Sequence, residues 1–262
     1  MSRIQSVFNN GRKALVAYIM AGYPSLEATL KTIPMLEKNG VDILEIGIPF
    51  SDPLADGATI QKAGFEALQN GTDVESCLEL ARKLKGKVGI PLVFMTYYNP
   101  VMSYGEGKFC SRCAASGISG LIIPDLPPEE AGRLERAARE NSLDLVYLVT
   151  PNTSAPRIKS ITEKSSGFVY LVSVTGITGA RKSLPSYLGP FVARVRKTTK
   201  KPLCIGFGIS TARQAAEATQ LADGVIIGSK IVQLMGEKNS AAVLRDFIQE
   251  VRTAIDRNNK TG

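Results

Sequence analysis

VDILEIGIPFSDPLADGATIQ, Val41–Gln61, opens as a strand and ends as a loop carrying carboxylates. Ile43, Leu44, Ile46 and Ile48 form an apolar run bounded by turn residues, the pattern of a strand buried on both faces in a parallel sheet. Glu45 stands in the middle of that run, the one charged residue at the centre of an expected strand. Alternation puts Ile43, Glu45 and Gly47 on one face, and Gly47 is expected to leave open space beside the carboxyl for a ligand. Burying an unpaired carboxylate is costly and raises its pKa. Glu45 is therefore a candidate proton carrier; the competing reading is that a lysine from elsewhere in the chain neutralises it. Pro49 ends the strand. The loop Phe50–Gly57 adds Asp52 and Asp56 among Ser51, Pro53 and Gly57. In α/β folds, sites are built on loops that follow the C-terminal ends of strands.

Outward from this stretch, strands and helices alternate. Strands are expected at Ala14–Met20, around Glu45, and at Leu92–Tyr97, Gly120–Ile123, Leu143–Thr150, Phe168–Val174, Leu203–Gly206 and Gly224–Ile227. A short helix over Ile4–Asn10 precedes them. Helices follow from Ser25 to Lys38, Thr59 to Gln69, Asp73 to Leu84, Gly107 to Ser116, Glu129 to Asn141, Ala155 to Lys164, Tyr187 to Thr198, from a Ser210 cap to Thr219, and Ala241 to Asn258. Tyr98-Asn99-Pro100 is expected as a loop. Strands separated by helices pair in parallel through right-handed crossovers. Eight such units in 262 residues imply a closed TIM (β/α)8 barrel, a single domain over 1–262 with an N-terminal helix. A doubly wound open sheet is the alternative, but no GxGxxG follows the first strand.

In a barrel, the loops after the seventh and eighth strands are frequent phosphate sites. Gly206-Phe207-Gly208 and Gly228-Ser229 occupy those places, and the sixth loop contributes Gly176, Thr178 and Gly179. Glycine lets backbone N–H groups approach an anion closely, and Ser229 adds a hydroxyl.

Composition narrows the chemistry. The chain has no histidine, which excludes Ser-His-Asp and Cys-His catalysis and removes the commonest ligand of catalytic zinc. Acid–base work must fall to carboxylates, tyrosines, lysines or cysteines. Cys110 and Cys113 form a CxxC, but on an expected helix with no partner motif, so packing is the better reading than metal or redox chemistry. The net charge is +8 with one dense run, Arg194–Lys201, which reads as a solvated helix end suited to the macrodipole. No aromatic–basic pattern points to nucleic acid. No apolar run is long enough to span a bilayer, and the N-terminus lacks the apolar core of a signal peptide; a soluble cytoplasmic protein is expected.

Five segments carry a family resemblance: LEIGIPFSDPLADG (Leu44–Gly57), MTYYNP (Met95–Pro100), TGITGAR (Thr175–Arg181), GFGIS (Gly206–Ser210) and IIGSKIV (Ile226–Val232). Together they resemble the tryptophan synthase alpha subunit over essentially the whole chain. The resemblance implies retro-aldol cleavage of indole-3-glycerol phosphate to indole and glyceraldehyde 3-phosphate, with no cofactor. It places the acid/base on Glu45, the indole N–H acceptor on Asp56 and the strand-six tyrosine on Tyr170. The phosphate positions fall on Gly179, Gly208, Gly228 and Ser229, with Thr178 beside them. It also implies a pyridoxal-phosphate beta subunit as partner, in an alpha2-beta2 assembly. Asp52–Gly57 and Tyr97–Met102 would lie at that interface, and the sixth loop would be a lid. Ala58 stands where many members have proline, and Lys230 where a small residue is common. The competing functions are a stand-alone indole-glycerol-phosphate lyase and a non-catalytic phosphate-binding activator subunit.

Overall fold

The first strand, β1 (Ala14–Met20), is buried along its whole length and serves two layers. Leu15, Ala17 and Ile19 pack outward against helices, while Val16, Tyr18 and Met20 point into an inner core. The same alternation recurs in β2 (Ile43–Gly47), where Leu44 and Ile46 face the helices and Ile43 faces inward. A strand with apolar side chains on both faces needs cover on both, and a barrel ringed by helices supplies it.

The computed structural model describes residues 1–173, 184–206 and 208–259. Seven further strand segments follow: β3 (Leu92–Met95), β4 (Ile118–Ile122), β5 (Asp144–Val146), β6 (Leu148–Val149), β7 (Val169–Val172), β8 (Leu203–Gly206) and β9 (Gly224–Ile227). All pairings are parallel, in the order β5-β4-β3-β2-β1-β9-β8-β7-β6. β1 therefore pairs with the last strand, and β5 and β6 are two pieces of one strand. The fold is a single-domain TIM barrel whose fifth strand is broken. The expected continuous strand Leu143–Thr150 parts at Tyr147, whose N–H donates to Ser165 Oγ (3.1 Å) instead of a ladder carbonyl. One piece then pairs with β4 and the other with β7.

The barrel floor is closed by the helix Arg3–Val7, capped by Ser2. Its Ile4 is fully buried, and a Cβ at Gly120 would come within 2.8 Å of Ile4 Cδ1, so glycine there admits the plug. The final helix, Ser240–Asn259, is fastened by the buried Arg252. Arg252 donates to the Asp42 carboxylate (3.0 Å), the Lys13 carbonyl (3.1 Å) and Asp256 (2.5 Å).

Several local expectations need correction. Tyr98–Tyr104 is a helix, not a loop; its first N–H donates to Asp125 Oδ1 (2.9 Å) in the loop after β4. The helix Ala212–Leu221 is capped by Thr211, while the Ser210 N–H donates to Gln214 Oε1 (2.9 Å). The basic run is less solvated than expected. Arg196 pairs with Asp223, and Lys201 Nζ donates to the carbonyls of Thr162, Glu163 and Ser165, closing the end of the helix Ala155–Lys164. Cys110 and Cys113 are buried on the helix Glu106–Ala115 and serve packing, as expected. Burial pushes the Cys110 thiol up to about 11 and Cys113 well above the ordinary value. Among the described residues, no helix is long and apolar enough to cross a membrane.

Candidate active site

Glu45 sits at the centre of β2, paired in register with Tyr18 on β1 and Val93 on β3. It is fully buried, and neither carboxylate oxygen has a hydrogen-bond partner. Among the described residues no lysine pairs with it, against the competing reading. Burial pushes its pKa up to about 8, because nothing nearby repays the charged form for lost hydration. At neutral pH the group is largely a neutral acid, ready to give a proton.

Asp56 comes to the same region from the loop after β2 and is almost fully buried. Burial raises its pKa to about 6, against a hydrogen bond from Tyr97 that lowers it. Asp56 is thus mainly ionised at pH 7 while Glu45 is mainly protonated. Two carboxyls held in opposite states by their surroundings are the usual division of acid–base labour. The loop that carries Asp56 is anchored twice. Tyr97 Oη accepts the Ala55 N–H (2.9 Å), and Gln61 Nε2 donates to the Asp56 carbonyl (2.8 Å). The Tyr97 ring also stacks obliquely on Phe50, with 5.5 Å between centroids. Tyr97, the first residue of the segment Tyr97–Met102 expected at the partner interface, is itself buried and holds this loop. A narrow cleft between Met20, Ile48, Met95 and Tyr18 opens onto Asp56 and Tyr97.

Gly47 does not leave open space beside Glu45, as was expected. A Cβ on Gly47 would lie 2.2 Å from Tyr18 Oη. The room made by the glycine is filled by a tyrosine from the neighbouring strand. Tyr170 on β7, the strand expected as the sixth, repeats this arrangement: a Cβ on Gly206 at the end of β8 would lie 2.4 Å from Tyr170 Oη. Burial first, and nearby carboxylates after it, hold both phenols well above their ordinary pKa. They therefore remain neutral hydroxyls. Tyr18 and Tyr97 are functional candidates that the sequence reading missed, since a tyrosine in or at the end of an apolar strand looks like core.

At the barrel mouth, Gly208 is exposed after β8. Gly228 and the exposed Ser229 follow β9, where Gly228 is the N-cap of the helix Ser229–Met235. β8 and β9 are neighbours, so these residues share one sector of the rim. Lys230 Nζ lies 3.4 Å from Gln233 Oε1 on its own helix. Gly176, Thr178, Gly179 and the rest of TGITGAR lie outside the described residues. Among the described residues, no three potential metal ligands cluster.

These features define a class: a TIM barrel with a buried acid and an ionised carboxylate beneath its C-terminal mouth and glycine-rich turns on the rim. A family model for the tryptophan synthase alpha chain matches residues 4–258. Tryptophan synthase alpha chains from Dehalococcoides mccartyi and Methanocaldococcus jannaschii are 54% and 47% identical to this chain. The first alignment covers 98% of this chain and 100% of the relative, the second 89% and 83%. Among solved structures, tryptophan synthase from M. tuberculosis superposes with a TM-score of 0.88 at 35% identity, covering 97% of this chain and 100% of that one. The alpha subunit from Legionella pneumophila does so with a TM-score of 0.90 at 33% identity, covering 98% and 99%. The chain belongs to the tryptophan synthase alpha chain family. Its activity is that family's cleavage of indole-3-glycerol phosphate, a carbon–carbon lyase reaction in tryptophan synthesis, and it works with a beta subunit.

Proposed function

We propose that Glu45 is the acid/base of the cleavage and Asp56 the group that stabilises the charged indole. The observation that carries this assignment is the fully buried carboxyl of Glu45, unpartnered among the described residues, with a second carboxyl of lower pKa that acts on the same two tyrosines, Tyr18 and Tyr170. Glu45 gives its proton to indole C3, producing an indolenine cation whose N–H faces the Asp56 carboxylate. The bond from C3 to the glycerol carbon then breaks, and its electron pair restores the aromatic ring. The hydroxyl on that glycerol carbon loses its proton to the Glu45 carboxylate and becomes the aldehyde. The proton count closes, and Glu45 ends as it began. Asp56 favours the cation over the neutral ground state, so its attraction is strongest where the barrier lies.

Tyr170 would contact the substrate from the far side of the barrel. Gly179, Gly208, Gly228 and Ser229, with Thr178, would receive its phosphate. Backbone N–H groups at glycine turns fit that anion, and the position on the rim matches the phosphate sector of many barrels. The partner is proposed to be the pyridoxal-phosphate beta subunit, in an alpha2-beta2 complex in the cytoplasm. Exposed Leu54 (93%) and Met102 (56%) project from the loop after β2 and the helix after β3, and apolar side chains this exposed suit a docking face. Indole is small and apolar, so release into a docked partner would limit its escape.

The test is a pH profile of indole release with Asp56→Asn beside wild type. Wild-type turnover should rise through about pH 6 and fall through about pH 8. Asp56→Asn should lose the acid limb and about a hundredfold in kcat. A variant that kept both the limb and the rate would remove Asp56 from the mechanism.

A further inference from the structure

Glu45 must spend half of the reaction as a carboxylate, and among the described residues neither of its oxygens has a donor. A buried carboxylate without a hydrogen bond is strongly disfavoured. Some group must meet the charge when it forms, and the structure offers a specific one. Tyr18 lies opposite Glu45 in the β1–β2 register, but its ring leans two residues onward, so that Oη fills the side-chain position of Gly47. Glu45 and Gly47 share a strand face, where alternate side chains stand about 7 Å apart. The hydroxyl thus sits on the mouth side of the carboxyl, between it and the cleft that Tyr18 also lines.

Two glycines make this placement possible. Gly47 vacates the hydroxyl end, and at the other end a Cβ on Gly228 would press to 3.3 Å from Tyr18 Cβ. Across the barrel, Tyr170 stands over Gly206 in the same way. Among the described residues, the groups that interact with Glu45 are Tyr18 on β1, Tyr170 on β7 and Cys204 on β8, while its β3 neighbour is the apolar Val93. Asp56 approaches the two tyrosines from the loop above. The cysteine thiol is a weak donor. Among these groups only the two phenols are good donors, and Tyr18 is the one seated over Gly47 on Glu45's own strand.

We propose that Tyr18 is a positioning residue whose hydroxyl, held over Gly47, donates to the Glu45 carboxylate in the half of the cycle when Glu45 is ionised. The proposal rests on Glu45 being the acid/base. It divides the labour between the two phenols: Tyr18 steadies Glu45, and Tyr170 is the one proposed to meet the substrate. Tyr18 never exchanges its proton; it lowers the energy of the state in which Glu45 has given its own away.

The experiment is Tyr18→Phe, which keeps the ring and removes the oxygen, assayed with the beta subunit and compared with Glu45→Gln and wild type. The expected result is a fall in kcat of about tenfold or more, with KM changed by less than about threefold. The alkaline limb of the kcat profile should move up by about one pH unit, since an acid whose charged form has lost a donor holds its proton longer. A merely structural role would lower the thermal midpoint and leave that limb in place. An unmoved limb, or a loss confined to KM, overturns the proposal. If Glu45→Gln still turns over at the wild-type rate, the acid/base assignment itself is what failed; if Glu45→Gln is inactive and the Tyr18→Phe limb stays put, only the role of Tyr18 is lost.

Discussion

Glu45 couples stability to pH as well as to chemistry. Its folded pKa of about 8 lies far above the ordinary 4.5, so folding favours the protonated form. That contribution is fully present below the unfolded pKa and is lost as pH rises through about 8. Glu45→Gln cannot ionise and avoids the loss. Its thermal midpoint relative to wild type should therefore climb between pH 5 and pH 9, by roughly 5 °C if about 2 kcal/mol is recovered. Melting curves at the two pH values check this, and a constant difference would mean that Glu45 titrates normally. Glu45 and Asp56 were legible in the sequence because a charge inside an apolar run and a carboxylate in the loop after it are local anomalies. Tyr18 and Tyr97 carried no such mark. Their importance lies in whom they meet, and Tyr18 meets Gly47 only because two strands pair in one particular register.

Among elements, the strand ends are the sensitive points. Gly47→Ala would drive a methyl into the Tyr18 hydroxyl, 2.2 Å from the ideal Cβ position. The ring must leave its slot, and kcat should fall at least tenfold while the barrel stays folded, since the mouth and not the floor is disturbed. Turnover and circular dichroism together decide it; normal turnover would mean that the ring position is immaterial. Tyr97→Phe should act differently, freeing the Ala55 N–H and loosening the loop that holds Asp56, which reduces kcat and raises KM together. β1, β8 and β9 were readable to the residue because each is an apolar run between turn residues. The helix Tyr98–Tyr104 was not, because its first N–H is satisfied by Asp125, 27 positions away, and Pro100 reads locally as a breaker. The break at Tyr147 was hidden for the same reason: its diverting acceptor is Ser165 on a different element.

For the whole molecule, eight strand–helix alternations were enough to imply closure, since parallel neighbours joined by right-handed crossovers wind one way. What sequence could not show is how the closed ring is fastened. Arg252 joins the last helix to Asp42 and to the carbonyl before β1, and replacing it by methionine leaves the partly buried Asp42 carboxylate without its innermost cation. A loss of about 3 kcal/mol is expected in denaturant unfolding. Docking of the partner belongs to this scale too, and Leu54→Ser should weaken activation by the beta subunit more than it changes turnover by the chain alone.

The most direct test of the central claim is indole release from indole-3-glycerol phosphate by wild type and Glu45→Gln, each with a beta subunit present. Turnover lost by a factor of a thousand or more in a variant that folds and still associates with its partner is the predicted result. A Glu45→Gln protein that releases indole at close to the wild-type rate would contradict it.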